Sequence, residues 1–152
     1  MTKKYFNIPK DEKQKRIYII WQAMKNRCRN KKSNRYKDWG GRGIKVCDEW
    51  KDNFLNFYKW AIDNKFNDCK NRQCQLDRID NNGDYEPNNC RFVTAKSNSR
   101  NKRSNHLIAY NNETHCLSEW EEILNLPIKQ RIYKGWSVEK AFTTPRMKNQ
   151  YI

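Results

Sequence analysis

The chain has 152 residues, which is enough for one compact domain or two small ones and excludes a large multidomain protein. Its 32 Lys and Arg residues outnumber its 17 Asp and Glu residues, for a net charge of +15, and 13% of the residues are aromatic. A disordered basic tail would be poor in aromatic residues, so we expect a folded protein that attracts polyanions. No apolar run could span a membrane, and residues 1–16 are too polar for a secretion signal. We therefore expect a soluble cytoplasmic protein with no membrane partner.

The positive charge is concentrated in the N-terminal third. Residues 1–50 carry 15 basic and 5 acidic side chains, whereas residues 106–152 carry 6 and 5. Because the basic residues are interleaved with Tyr and Trp, this pattern indicates a folded surface that faces phosphate groups. A merely solvated basic face is the alternative.

Six cysteines lie at positions 28, 47, 69, 74, 90 and 116. In a chain without a secretion signal, reduced thiols or a metal site are expected rather than disulfides. A structural Zn²⁺ ion could be bound by four of the first five cysteines, of which only Cys69 and Cys74 are close in sequence. We favour buried free thiols over this zinc site.

The first half of the chain predicts two helices. Apolar residues recur at three- and four-residue steps from Lys13 to Arg29, which indicates the first helix. The loop of residues 30–43 ends in a segment with three glycines, and residues 44–46 alternate as a short strand. A second amphipathic helix is predicted from Asp48 to near Asn64, followed by a polar loop over residues 65–75.

Residues 76–105 predict a strand, a loop, a second strand and a helix. The strands are Leu76–Ile79 and Cys90–Val93, and the loop between them contains the turn signal Asn82-Gly83. Thr94 is a suitable N-cap for a helix that continues to residue 105.

This order brings two oxygen donors close together. Asp77 lies at the end of the first strand, and Asn98 lies one turn into the helix. Folded on itself, the unit could bring a carboxylate and an amide oxygen onto one hard cation, with positions left for phosphate and water.

The segment resembles the ββα-metal finger of HNH nucleases. Asp77 matches the first metal ligand of that family, Asn98 matches the last, and Asn89 matches the Asn that braces the long loop. Arg78 stands where the catalytic His is usual. A minority of these nucleases, including a rare-cutting restriction enzyme, are similar in having Arg there with a nearby Tyr, which Tyr85 matches.

The resemblance implies hydrolysis of phosphodiester bonds with one divalent metal ion, Mg²⁺ or Mn²⁺, on Asp77 and Asn98. Arg78 cannot take a proton from water, because a guanidinium stays protonated, so its implied role is to clamp phosphate. Tyr85, Asp80, His106 or a second water would then orient or deprotonate the attacking water. Tyr85 would need nearby cations such as Arg78 to lower its pKa.

The last third of the chain predicts a hairpin and short helices. Residues 106–110 and 113–116 flank the turn Asn111-Asn112, and Ser118-x-x-Glu121 predicts a capping box. A helix from Ile128 to Lys134 follows, with Ile128 and Ile132 inward and Lys129, Gln130, Arg131 and Lys134 exposed. A final helical turn is predicted over residues 137–142.

Helix, turn and basic helix is the order of a helix-turn-helix. Residues 117–120 and 135–145 resemble the C-terminal DNA-binding module that is often appended to phage HNH and intron-encoded nucleases. A small helical cap on the nuclease core is the alternative. We predict that DNA is contacted by nine basic and polar residues of the chain: Arg42, Lys45, Lys96, Arg100, Lys102, Arg103, Lys129, Gln130 and Arg131.

The expected fold class is α+β. A basic HNH-like nuclease domain would occupy residues 1–105, with the ββα-metal finger at residues 76–105, and the hairpin and helix-turn-helix-like module would occupy residues 106–152. The expected function is a site-specific DNA endonuclease, homing-type or restriction-like, acting on double-stranded DNA in a bacterial or phage-infected host as a monomer or homodimer. The alternative is a non-catalytic DNA-binding phage regulator or inhibitor built on a degenerate finger.

Overall fold

A computed structural model describes residues 11–64, 66 and 74–146. The protein is mixed α and β, about half helical, with two small antiparallel sheets, which agrees with the expected α+β class. Within the described residues, no helix is both long enough and apolar enough to cross a membrane.

Seven α-helices and four strands are found in these residues. In chain order they are α1 (Glu12–Arg29), α2 (Asp48–Lys51), α3 (Phe54–Asp63), β1 (Gln75–Arg78), β2 (Cys90–Val93), α4 (Ala95–Arg100), β3 (Leu107–Tyr110), β4 (Glu113–Cys116), α5 (Leu117–Leu124), α6 (Ile128–Tyr133) and α7 (Val138–Thr143).

The chain divides into two compact units, and the division falls between Asn98 and Ser99, inside α4. The sequence placed the break later, between residues 105 and 106. Each unit has its own apolar core.

The helix predicted from residue 13 to residue 29 is confirmed as α1. It begins at Asp11, whose carboxylate accepts a hydrogen bond of 2.7 Å from the backbone N–H of Gln14. Its inward stripe of Ile17, Trp21 and Met24 is buried in the core of the first unit, which also contains Trp50 and Phe57. Burial of these large side chains is what fixes α1 against α3.

Two predictions for residues 44–64 are wrong. The single helix from residue 48 is broken into α2 and α3, because the side chain of Asn53 accepts hydrogen bonds from the backbone N–H groups of Leu55 and Asn56 and so starts a new helix. Residues 44–46 do not form a strand, since Val46 makes only an isolated bridge with Tyr85. The predicted loop of residues 65–75 lies mostly outside the described residues.

The strands predicted on either side of the loop are confirmed as β1 and β2, with Asp77 opposite Arg91 and Arg78 opposite Cys90. Helix α4 follows directly and ends at Arg100, five residues earlier than predicted. The amide of Asn105 donates hydrogen bonds to the carbonyl oxygens of Ser99 and Arg100 and so terminates the helix.

The second unit contains the predicted hairpin of β3 and β4. Asn111 and Asn112 both have positive φ, of 49° and 64°, as a tight two-residue turn requires. The predicted capping box at Ser118 is wrong: the N-cap of α5 is Cys116, two residues earlier, and Glu119 accepts a hydrogen bond from the backbone N–H of Cys116.

The described cysteines differ in part from the expected free thiols. Cys28, Cys47, Cys90 and Cys116 are free, as expected, but Cys74 is disulfide-bonded. Cys69 lies outside the described residues. No group of three or more His, Cys, Asp or Glu side chains suited to a metal ion occurs among residues 11–64, 66 and 74–146.

Candidate functional site

The loop between β1 and β2 is closed by the side chain of Asn89. Its carbonyl oxygen accepts a hydrogen bond of 2.8 Å from the backbone N–H of Asp80, and its amide nitrogen donates to the carbonyl oxygens of Asp80 and Asp84 at 3.1 and 2.8 Å. A Cβ on Gly83 would lie 2.6 Å from the amide nitrogen of Asn89, so only glycine fits there. Asn89 therefore has the bracing position that the sequence predicted for it.

Asp77 is buried and paired with a cation. Its side chain is 4% exposed, and its Oδ2 accepts a hydrogen bond of 3.0 Å from Nε of Arg91, the residue directly across the hairpin. Burial of a carboxylate is favourable only with such compensation. A metal ion at Asp77 would therefore have to share this carboxylate with Arg91.

Asn98 contacts the same strand. Its amide nitrogen donates a hydrogen bond of 2.6 Å to Oε1 of Gln75. Gln75 and Asp77 are two residues apart on β1, so their side chains leave the strand on the same face. One carboxylate and one amide oxygen are ligands of the kind that Mg²⁺ takes when phosphate and water complete its shell, so this donor set fits the expected ion in kind.

Arg78 does not face outward as a phosphate clamp would. Its side chain is 5% exposed, and Nη1 donates a hydrogen bond of 2.8 Å to the carbonyl oxygen of Gly83 within the loop. In this conformation the Arg78 guanidinium is directed into the loop, and its role as a phosphate clamp stays a prediction. The reason is that β1 ends at Arg78 and turns its guanidinium into the loop, where a bare carbonyl oxygen needs a donor.

Tyr85 is also inside the protein, 2% exposed. Its hydroxyl is 3.4 Å from Nη1 of Arg27, which donates to it, and the guanidinium carbon of Arg78 lies 4.9 Å from the ring centroid. Burial raises the pKa of the Tyr85 phenol, and this effect exceeds the opposite effects of Arg27 and Arg78. A buried phenol with a raised pKa is a poor proton acceptor, so among the alternatives for the attacking water this geometry favours Asp80, His106 or a second water over Tyr85.

Two residues of the predicted DNA surface support the loop instead. Arg42 donates hydrogen bonds from Nη1 to the carbonyl oxygen of Asn81 at 3.2 Å and from Nη2 to Oδ1 of Asn82 at 2.6 Å. The backbone N–H of Lys45 donates to Oδ1 of Asp84 at 2.8 Å, whereas the Lys45 side chain is exposed. Arg42 is thus a positioning residue for the loop.

Two further predicted DNA contacts lie in the second unit and have internal partners. Arg100 forms an ion pair of 2.6 Å with Glu122. Arg131, which was predicted to be exposed, is 7% exposed and donates hydrogen bonds to the carbonyl oxygens of Ala141, Thr144 and Pro145. Arg131 therefore anchors the segment after α6, and the prediction that its side chain is exposed is wrong.

The side chains of the other predicted DNA-contacting residues are exposed: Lys96, Lys102, Arg103, Lys129 and Gln130. Their positions are compatible with contacts to phosphate.

Sequence reasoning missed two arginines. Arg91 was missed because its role depends on the register of the two strands. The two predicted strands have equal length, so pairing Arg78 with Cys90 would have placed Arg91 opposite Asp77. Arg27 was missed because it looks like one more basic residue of α1. Its spacing from Ile17, Ile20 and Met24 in fact extends the inward stripe and could have identified it.

Comparison of the chain with protein-family models, with curated proteins and with solved structures gave no match in any of the three.

Proposed function

We propose that this protein is a site-specific DNA endonuclease that hydrolyses phosphodiester bonds at the β1–β2–α4 unit with one divalent metal ion, Mg²⁺ or Mn²⁺. The observation that carries the proposal is the Asn89-braced loop between two strands, followed by a helix whose Asn98 touches the strand that bears Asp77. The net charge of +15 supports double-stranded DNA as the partner. The assignment of nuclease activity rests on the resemblance to the ββα-metal finger.

In this proposal, Asp77 and Asn98 hold the ion, which when bound polarises the scissile phosphate and neutralises developing charge. Arg91 fixes the orientation of the Asp77 carboxylate through Nε. Arg78 holds the loop in shape through the carbonyl oxygen of Gly83. The proton of the attacking water passes to the exposed carboxylate of Asp80 or to a second water, because Tyr85 is buried.

A specific observation favours a second candidate, a non-catalytic DNA-binding regulator or inhibitor. Arg78 and Tyr85 occupy the positions that the resemblance makes catalytic, yet they are packed against each other inside the loop. A finger of this kind would keep its fold and its binding of DNA but would lack catalytic activity. The two candidates differ in whether a divalent ion produces strand cleavage.

The test is cleavage of supercoiled plasmid DNA with Mg²⁺ or Mn²⁺, compared with EDTA. The informative variants are Asp77→Asn, which removes the charge but keeps the shape, and Arg91→Gln, which removes the partner of Asp77 but leaves the ligand. We expect metal-dependent nicking that Asp77→Asn abolishes and Arg91→Gln retains, with DNA binding retained in both variants.

Circular dichroism of both variants is the control for folding. Cleavage by Asp77→Asn at the wild-type rate would reject the metal assignment. Metal-independent DNA binding without any cleavage by the wild-type protein would reject the nuclease and favour the non-catalytic candidate.

A further inference from the structure

A cavity of about 270 Å³ lies in the first unit, between α1, β1 and the first turns of α4. Its apolar walls are formed by Ile19, Ile20 and Ala23 of α1 and by Leu76 of β1. Ile19 is 66% exposed, so the cavity is open to solvent on that side. A liquid water occupies about 30 Å³, and drug-sized ligands need 300 Å³ or more, so the space suits one small ligand.

The polar groups of the cavity are of two kinds. Gln75 and Asn98, which are hydrogen-bonded to each other, present an amide edge that can both donate and accept. Arg27 also lines the cavity, and its side chain is half-buried. No carboxylate lies within ion-pair distance of Arg27 in the part of the chain that the structure describes.

The position of Arg27 is set by aromatic residues. Its Nη1 donates to the hydroxyl of Tyr85, and its guanidinium carbon lies 5.3 Å from the centroid of the Trp39 ring. Neither contact neutralises its charge. A guanidinium without a counter-ion next to an apolar slot is suited to an anionic group, such as phosphate, carried by a ligand with a flat apolar body.

We propose that this cavity binds a single nucleotide. The base lies between α1 and β1, the amide edge of Gln75 and Asn98 reads its polar edge, and Arg27 binds its phosphate. A cavity of about 270 Å³ that is open beside Ile19 is close in size to one nucleotide and too small for two. The nucleotide comes from an unpaired position of a DNA strand or from free nucleotide in solution. Binding of a nucleotide that belongs to a DNA strand rests on the proposed function, whereas binding of a free nucleotide does not.

The experiment uses the full chain in EDTA, so that cleavage plays no part. Deoxynucleoside 5′-monophosphates, the matching nucleosides and inorganic phosphate are titrated separately, and binding is followed by calorimetry. We expect the monophosphates to bind at least roughly tenfold more tightly than the nucleosides or phosphate, because only they use both the slot and Arg27.

Two pairs of variants locate the binding. Ala23→Leu narrows the slot and should abolish nucleotide binding, whereas Asn26→Leu, exposed on the same helix and outside the cavity, should leave it unchanged. Arg27→Gln should reduce the affinity for monophosphate to that for nucleoside. Arg29→Gln, exposed at the end of α1, is its control, and circular dichroism checks that each variant folds.

A second arm distinguishes the two sources. Duplex DNA that contains 2-aminopurine should become more fluorescent when the protein binds, because the base leaves the stack, and Ala23→Leu should lose this rise. Monophosphate binding without the rise would assign the site to free nucleotide. Equal affinity for monophosphate and phosphate, or binding unaffected by Ala23→Leu, would overturn the proposal, even if the protein cleaves DNA.

Discussion

The guanidinium carbon of Arg78 lies 4.9 Å from the centroid of the Tyr85 ring, and both side chains are buried. The two residues that the resemblance makes catalytic therefore support each other inside the loop. We therefore expect these two side chains to stabilise the β1–β2 loop. They would influence DNA binding or cleavage only through the conformation of that loop.

Replacement of Arg78 by Met should lower the free energy of unfolding by about 1–3 kcal/mol, because the carbonyl oxygen of Gly83 loses a buried donor. Urea denaturation measures this change. Arg103→Met, at an exposed position, should change stability by less than about 0.5 kcal/mol. Equal stability of the two variants would mean that Arg78 does not support the loop.

Asn89→Asp should destabilise the protein, because a carboxylate cannot donate to the carbonyl oxygens of Asp80 and Asp84. The expected loss is about 2–4 kcal/mol for two donor bonds replaced by oxygen–oxygen repulsion. Asn88→Asp, exposed at the adjacent position, is the matched control and should be nearly neutral. A thermal melt that does not distinguish the two variants would contradict the bracing role.

The free thiols near the loop should be slow to alkylate. Burial raises the pKa of the Cys28 thiol from 9.0 to about 11 and that of Cys90 to about 12. At pH 8 the thiolate fraction of Cys28, and hence its rate of alkylation, should be about a hundredfold lower than in the urea-unfolded chain. Mass spectrometry after iodoacetamide treatment identifies the modified cysteine.

The same raised pKa values predict how stability depends on pH. The neutral thiols favour the folded state fully at pH values below the unfolded pKa of about 9, and this contribution is lost as the pH rises toward the folded values of about 11 and 12. Unfolding free energy should therefore fall between pH 9 and 11, and Cys90→Ala should reduce the slope. A slope that is unchanged in this variant would argue against the burial of a neutral thiol.

Arg131→Met should destabilise the second unit by about 3 kcal/mol, because three carbonyl oxygens near the end of the described chain lose their donor. Lys129→Met, on the exposed side of α6, is the control. Proteolysis of the C-terminal segment should be faster only in the Arg131 variant. A stable Arg131→Met protein with weaker DNA binding would instead support the prediction that Arg131 contacts DNA.

DNA binding, if the proposed function is correct, should weaken roughly tenfold or more between about 50 and 200 mM salt. The charge of residues 1–50 predicts that Lys31→Gln with Lys32→Gln reduces the salt slope by about 2. The matched pair Lys129→Gln with Lys134→Gln, in the nearly neutral C-terminal segment, should reduce it less. Fluorescence anisotropy on a short duplex measures both slopes. Equal reductions would reject the prediction that residues 1–50 supply most of the phosphate contacts.

The sequence by itself determined α1, the strand pair β1 and β2, and the β3–β4 hairpin, whereas the bracing role of Asn89 was implied by the family resemblance. The three elements depend on local chemistry: the apolar stripe of a helix, the alternation of a strand, and the tolerance of Asn for positive φ. Such signals are contained in a few consecutive residues and do not depend on what packs against them.

Only the tertiary structure decided which charged residues face solvent. Arg78, Arg42 and Arg131 look in the sequence like the other arginines, yet the structure turns each toward bare carbonyl oxygens that need donors. Burial is set by the partners that a side chain meets, and the pairing of Asp77 with Arg91 is set by strand register. From sequence alone, a basic residue at the end of a helix or strand is therefore predicted to contact nucleic acid. The packing around its side chain decides whether it instead has a partner inside the protein.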